Sequence, residues 1–386
     1  MTNKKVLVST YSHPELYPPT LNAVGSLSKK FDKILLHFNN VAESDWNYPL
    51  NVSLFPSRKF IHWRKLMVSP LFKKINFFRE FTVQLYQIIK KENPKYLLLY
   101  DPMALLAFSI LRRFLSPIPM IWYHNHDIIT KSQTSLFSLT RLAYYNERKS
   151  FKWIQVFSLP SEQRKLYFKL DDFKGAYFLL PNYPALDFYN QFYQKKTKPI
   201  AEFKIIYQGF IDVGHGIEEI IEILGDKQFE NIPVKLVLKG YIKDHYKKKL
   251  VDLMLVNNIS ALKIEFVGVG PYKSVPEIAS TCHIGIGINT KVDPTNATLG
   301  TSSNKIYEYA ALGLPVLLYD APQFRNNLDK YDWAIFTDIS RNSLKNGIIE
   351  IISNYDYLSE SAHHTFLNEL NFDLSFDKVI NFIKNE

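Results

Sequence analysis

Apolar residues in this chain fall into short unbroken runs, separated by stretches where they recur every three or four positions. Residues 6–9, 33–38, 96–100, 120–123, 154–158 and 176–180 are such runs and read as strands buried on both faces. Residues 21–30 and 72–91 carry helical spacing between them. The pattern lapses over residues 190–203, where Lys195-Lys196-Thr197-Lys198-Pro199 lies. It then resumes, with strands at 204–207, 234–238, 264–267 and 284–288 and helices at 217–224 and 243–257. Strands alternating with helices predict an α/β fold with parallel sheets. Two such halves joined by a hinge predict a cleft, with ligands at the carboxyl ends of the strands. The expected limits are 1–189 for the first domain, 190–203 for the linker and 204–365 for the second.

One stretch carries more chemistry than the rest. Ser302 and Ser303 are suited to cap the helix that follows, which bears Lys305 and Glu308 and ends at Gly313. Pro315 and the apolar run 316–319 then read as a turn into a buried strand. The start of a helix attracts anions through its unpaired amides and its dipole. A carboxylate one turn inside can accept bonds from the vicinal hydroxyls of a ribose. The stretch therefore reads as a clamp for a nucleoside diphosphate.

With 386 residues, 46% of them hydrophobic and 22% charged, the chain can fill two cores. No apolar run is long enough to span a bilayer, and the polar start is not followed by the apolar core of a signal peptide. The expected location is cytoplasmic. The single cysteine, Cys282, precludes an internal disulfide and a thiolate metal cluster, and is expected to be a buried thiol. A net charge of +10 calls for a polyanionic partner. Arg58, Lys59, Arg64, Lys65, Lys73, Lys74 and Arg79 come before any acid, interleaved with Trp63, Leu66, Met67, Leu71, Phe72, Phe77 and Phe78. That mixture over 58–79 suits a helix on an anionic membrane face, and equally a surface helix on its own core.

These segments resemble the GT-B glycosyltransferases, in particular the group-1 family of nucleotide-sugar enzymes. Tyr207-Gln208-Gly209 with His215-Gly216 resembles the strand and glycine loop that open the family's donor domain. Leu236–Gly240 resembles its second strand and turn, and Phe266-Val267-Gly268 the segment that holds the base. The run Asn304–Tyr309 with Gly313-Leu314-Pro315-Val316 is similar to the signature helix. The resemblance implies two Rossmann-like domains, with the final segment, 366–386, returning to the first. It implies a nucleotide diphosphate sugar of UDP or GDP type as donor substrate, with no cofactor. Glu308 matches the ribose-binding acid, while Thr301, Ser302, Ser303, Lys305, His215, Lys239, Gly209 and Gly268 fall on donor positions. His126 and Asp127 match a catalytic histidine–acid step after a strand, with His124 beside them. The loop after the first strand offers His13, Glu15 and Tyr17 to an acceptor glycan or lipid-linked glycan. The pattern also departs from the family. Gly300 stands eight residues before Glu308, where many relatives have a second acid, and Phe210 and His215 stand where basic residues are common.

The expected activity is thus transfer of a hexose from a nucleotide sugar to an acceptor hydroxyl, in surface polysaccharide or glycolipid synthesis. No Asp-x-Asp pair precedes an apparent donor strand, so no metal is expected at the diphosphate. The alternatives are a nucleotide-sugar epimerase of the same fold and a non-catalytic protein binding nucleic acid or carbohydrate. Nucleic acid is the weaker of these partners, because most aromatic residues lie inside expected strands and helices.

Overall fold

The computed structural model describes residues 5–62, 65–66, 68–199, 201–226, 233–291 and 294–385. Trp63, Arg64 and Met67 of the acid-free stretch lie outside the described residues. The chain divides into two units, one from Met1–Pro181 together with Ser375–Glu386, the other Asn182–Leu374.

The first unit is built on β1 (Lys5–Thr10), β2 (Lys33–Phe38), β3 (Val52–Pro56), β4 (Tyr96–Tyr100), β5 (Met120–His124), β6 (Val156–Leu159) and β7 (Ala176–Leu179). They form a seven-stranded sheet in the order β3-β2-β1-β4-β5-β6-β7, with every pairing parallel. Leu97, Leu99, Ile121 and Tyr123 face a core completed by Phe81, Leu85, Ile88 and Ile89 of the helix Leu71–Glu92 and by the helix Asp101–Leu111. Burial on both faces is why the inner strands of the sheet, β4 above all, are unbroken apolar runs.

The second unit repeats the design with β8 (Phe203–Ile211), β9 (Val234–Ile242), β10 (Ile264–Gly268), β11 (Ile284–Gly287), β12 (Val316–Tyr319) and β13 (Ala334–Thr337). Its six strands run in the order β10-β9-β8-β11-β12-β13, again parallel. In each sheet the strand order reverses beside the first strand, between β1 and β4 and between β8 and β11. Ligands of open α/β sheets sit at the carboxyl ends of the strands beside such a reversal.

The division falls at Pro181/Asn182, ahead of the expected limit at 189. Residues 182–189 are tied into the second unit. Asn182 donates its amide to Thr301 O (3.0 Å), Leu186 its amide to Asp373 (2.9 Å), and Tyr189 is fully buried. The helix Phe372–Asn385 begins in the second unit and continues into the first. There Phe376 packs on Trp122 (5.3 Å between ring centres), Phe382 on Phe178 (5.5 Å), and Lys384 donates to Lys30 O (3.1 Å).

Candidate functional site

The second unit presents a pocket of about 300 Å³ at the β8/β11 reversal. Its walls include Tyr207, Phe210 and His215 from β8 and its loop, Asn289 and Lys291 after β11, and Ser303 and Lys305 at the start of the helix Asn304–Ala311. The helix is fixed against the sheet by Tyr309. Its ring lies where a Cβ on Gly285 would approach within 2.3 Å, and its hydroxyl meets the Gln208 amide (2.9 Å). At the far end Gly313 (φ +68°) closes the helix in the left-handed region, with Leu314 N bonded to Tyr309 O.

Lys305 Nζ donates to the Tyr207 hydroxyl (2.7 Å) and lies over the same ring. Burial lowers its pKa to about 7; Glu308 works against the shift and Lys291 adds to it. His215 stacks on the same Tyr207 ring (5.0 Å, 24°), and its buried Nδ1 has no hydrogen-bond partner. Burial and the nearby Lys305 and Lys291 charges hold its pKa at about 3, so the imidazole is neutral. Lys291 pairs with Asp212 (3.3 Å). Lys305 and Lys291 are the lysines that line the pocket.

Glu308 lies beneath this surface instead of lining the pocket. It is 5% exposed, accepts Gln208 Nε2 (2.5 Å) on one oxygen and the Tyr272 hydroxyl (3.0 Å) on the other, and Tyr272 in turn meets Tyr189 (3.1 Å). Burial raises its pKa, against the pull of these bonds and of Lys305. Thr301 and Ser302 form a short 3-10 turn whose carbonyls accept Asn182 N and Nδ2. Ser303 occupies the N-cap, but no side-chain capping bond forms, and Ser302 Oγ donates backward to Leu299 O (2.6 Å). The expected hydroxyl caps are thus replaced by a preceding helical turn. Gly209 (φ +118°) sits beside Lys305, and Gly240 leaves room for its carbonyl, which a Cβ would reach at 1.9 Å. Lys239 is buried with its Nζ on Gly268 O (3.2 Å), apart from the pocket lining.

A second polar group gathers at the β1/β4 reversal of the first unit. Thr10, Tyr100, His124 and Ser158 are consecutive partners across β1, β4, β5 and β6. His124 Nδ1 and Trp122 Nε1 share Ser158 Oγ (2.8 and 2.7 Å). His126 lies between Tyr100 (4.6 Å, 8°) and Tyr17 (5.4 Å, 13°), with Nε2 on Thr20 Oγ1 (3.2 Å) and Nδ1 buried and unpartnered. Burial, with the His124 and Arg164 charges, keeps its pKa well below the usual value. Asp127 is exposed and accepts the Tyr17 hydroxyl (3.4 Å). Beneath them Asp101, in a positive-φ conformation (+66°), accepts the His126 amide (2.8 Å). Burial and then the Asp127 charge raise its pKa to about 8.

Sequence reasoning placed His13 and Glu15 on an acceptor surface, yet both are engaged locally. His13 Nδ1 accepts the Glu15 amide (3.4 Å) and its ring is buried against Phe38. The Glu15 carboxylate holds Ser44 Oγ (2.5 Å), Asp45 N (3.0 Å) and Tyr48 (3.4 Å). Lys291, Tyr272 and Asp101 were not singled out from the sequence, and Tyr207 and Gln208 were read only as part of the strand that opens the second unit. Asp101 was findable, since it directly follows an apolar run and so falls at a strand's carboxyl end; Lys291 lies three residues beyond the run that ends at Ile288. Among the described residues no three His, Cys, Asp or Glu side chains are arranged to hold a metal ion.

No protein-family model matches the sequence, and no curated protein matches it. Solved structures do resemble it. A sucrose-phosphate synthase from Thermosynechococcus elongatus aligns with a TM-score of 0.68 over 99% of this chain and 98% of its own, at 11% identity. The Anabaena protein HepE, solved with UDP and glucose, gives 0.64 over 99% and 100% at 14% identity. A glycosyltransferase from Rickettsia africae gives 0.69 over 100% and 99% at 13% identity. With two Rossmann-like parallel sheets and these likenesses, the chain has the fold of the GT-B glycosyltransferases.

Proposed function

We propose that this protein is a glycosyltransferase that takes a hexose from a nucleoside diphosphate donor bound by the second unit. The observation that carries the reading is the pocket at the β8/β11 reversal, where Lys305, Lys291 and a helix start converge beside an unpartnered His215 Nδ1. A diphosphate there would meet a preorganised positive field without a metal, which is electrostatic stabilisation of the leaving group. The donor's charge would restore the ammonium form of Lys305. Neutral His215 would donate or accept one bond without adding charge. HepE, solved with UDP and glucose, supports a uridine donor as the first to test.

Glu308 is assigned to the ribose, through lone pairs left beside its bonds to Gln208 and Tyr272. Thr301, Ser302, Ser303, Gly209, Gly268 and Lys239 shape the donor side through backbone and charge. In the first unit Asp127, the exposed carboxylate, is assigned to the acceptor hydroxyl and its proton, with His126 positioning it. Burial between two rings makes His126 a poor base at neutral pH. His124 and Tyr17 support the same surface. In the reaction the bond from the sugar's anomeric carbon to the diphosphate breaks, a bond to the acceptor oxygen forms, and the hydroxyl proton leaves. Surface glycan or lipid-linked glycan synthesis, with a cytoplasmic location, is the setting this reading favours.

Calorimetry with UDP, GDP and their sugars, followed by release of nucleoside diphosphate in the presence of lipid extract, tests the proposal. Binding of a nucleoside diphosphate that Lys305→Met weakens is the expected result. Formation of an epimerised nucleotide sugar without release of diphosphate would replace transfer with epimerisation.

A further inference from the structure

We propose that the first unit carries a docking surface for an anionic lipid bilayer, formed where the start of the helix Leu71–Glu92 meets residues 131–142. The two segments are far apart in sequence and share one composition. Residues 57–79 contain no acid, and neither do residues 128–146, while both contain lysine and arginine. They converge on a groove of about 430 Å³ lined by Leu71 and Lys74 from the helix and by Thr134, Phe137 and Ser138 from the second segment.

Apolar side chains stand out of the protein on both sides of that groove. Phe72 is 68% exposed, Leu136 75% and Phe137 88%, with Val68, Ile75 and Leu142 also exposed. The helix explains its own share. Its buried residues begin only at Phe78 and continue through Ile89, so its first turns carry an apolar face with no core beneath it. The second segment is held in shape. Ser138 caps the helix Leu139–Ser150, and Arg141 ties back to Thr134 Oγ1 (2.9 Å) and Lys131 O, which leaves Leu136 and Phe137 at the tip.

Exposed aromatic and aliphatic tips, with Lys59, Lys65, Lys73, Arg79 and Lys131 exposed in the same two acid-free stretches, match the two halves of a bilayer surface. Rings and aliphatic groups enter the boundary of the acyl chains, and cations meet the phosphates above it. A nucleic-acid site would instead place aromatic faces along a basic groove. Here one aromatic residue, Phe137, lines the groove beside hydroxyl-bearing and aliphatic side chains. The surface extends the acid-free stretch read from sequence to a second, unforeseen element, and it does not depend on the transferase assignment.

Flotation of the full chain with vesicles separates the possibilities. The protein is expected to float with phosphatidylcholine–phosphatidylglycerol vesicles, to float far less with phosphatidylcholine alone, and to lose binding as salt rises. Phe72→Ser with Phe137→Ser should lower the bound fraction about tenfold or more, and Lys73→Glu with Lys131→Glu should lower it independently. Leu255→Ser with Val256→Ser, two exposed residues of the second unit, should leave it unchanged. All variants should keep their melting temperature and their nucleotide affinity. Absence of flotation by the parent chain, equal flotation on neutral vesicles, or oligonucleotide binding lost in the same variants without lipid binding would each overturn the proposal.

Discussion

The pocket of the second unit and the histidine row of the first are made by the same device, polar residues at the carboxyl ends of parallel strands beside a reversal of strand order. Their titratable groups differ in kind. Lys305, Lys291 and the start of a helix face the pocket, with Glu308 sunk beneath it. In the first unit the protonatable groups are carboxyls and neutral imidazoles: Asp101, Glu147, His124 and His126, with Arg164 bonded to the His126 carbonyl. One region is open and lined by two lysines. The other is closed around rings and leaves a single exposed carboxylate, Asp127. Under the proposed transfer, that contrast would place a leaving group's charge and a hydroxyl's proton in separately tuned surroundings.

The largest effect should come from Glu308→Ala. It would strand the buried Gln208 side-chain amide and leave the Tyr272 hydroxyl with Tyr189 in place of the carboxylate, and an unsatisfied buried group costs about 1–3 kcal/mol. A clear fall in melting temperature is expected together with weaker nucleotide binding. Glu308→Gln, which retains an acceptor, should recover most of the stability and only part of the affinity. If Glu308→Ala melts with the parent protein, the network does not hold the helix as described.

Lys305→Met should do the reverse, sparing the fold and weakening the ligand. Loss of a charge-assisted hydrogen bond, about 1.5–3 kcal/mol, corresponds to about 10- to 100-fold in affinity for a nucleoside diphosphate. The pH profile identifies the group. With its pKa lowered to about 7, free Lys305 loses its proton above neutrality, so diphosphate affinity in the parent should decline as pH rises beyond about 7. The variant should lack that slope. Calorimetry at several pH values reads both.

Much of the frame was legible because doubly buried strands are written as apolar runs. β2, β4 and β12 fall at the positions read from sequence, and the Gly313 stop is where the left-handed cap formed. β3 was not read, since this edge strand is half-exposed and has no clean run. The helix Asp101–Leu111 follows β4 with no intervening turn, so its periodicity merges with the strand. At the site, motif spacing found Lys305, Ser303 and His215. It could not show that Glu308 is engaged on both oxygens, because Tyr272 and Gln208 reach it from elements more than thirty residues away. Likewise, the sequence His126-Asp127 looks like one catalytic step, while the fold buries the first and exposes the second.

The first unit's own titrations give a smaller, two-sided test. Burial holds His124 at about 3, so its neutral form stabilises the fold fully above about pH 6.5, and that contribution is lost as pH falls toward 3. Asp101 and Glu147, raised by burial to about 8 and about 7, act with the opposite sign. Their contribution is complete below about pH 4 and is lost as pH rises through 7 and 8. Denaturant unfolding of the parent should therefore show stability declining on both sides of a slightly acidic plateau. His124→Gln should flatten the acid limb, and Asp101→Asn the alkaline one.

The smallest change in stability is expected from Asp127→Asn. The side chain is exposed, and its one bond within the first unit, from the Tyr17 hydroxyl at 3.4 Å, is long and also available to an amide oxygen. Surface substitutions of this kind usually stay within about 0.5 kcal/mol. Nucleotide affinity, assigned by the proposal to the second unit, should not change either. Transfer to the acceptor should nevertheless fall, because an amide cannot take the hydroxyl proton. A variant that binds donor normally, melts normally and turns over slowly would separate acceptor chemistry from donor binding. Normal turnover would remove Asp127 from the reaction and leave the aromatic-stacked His126 as part of the core alone.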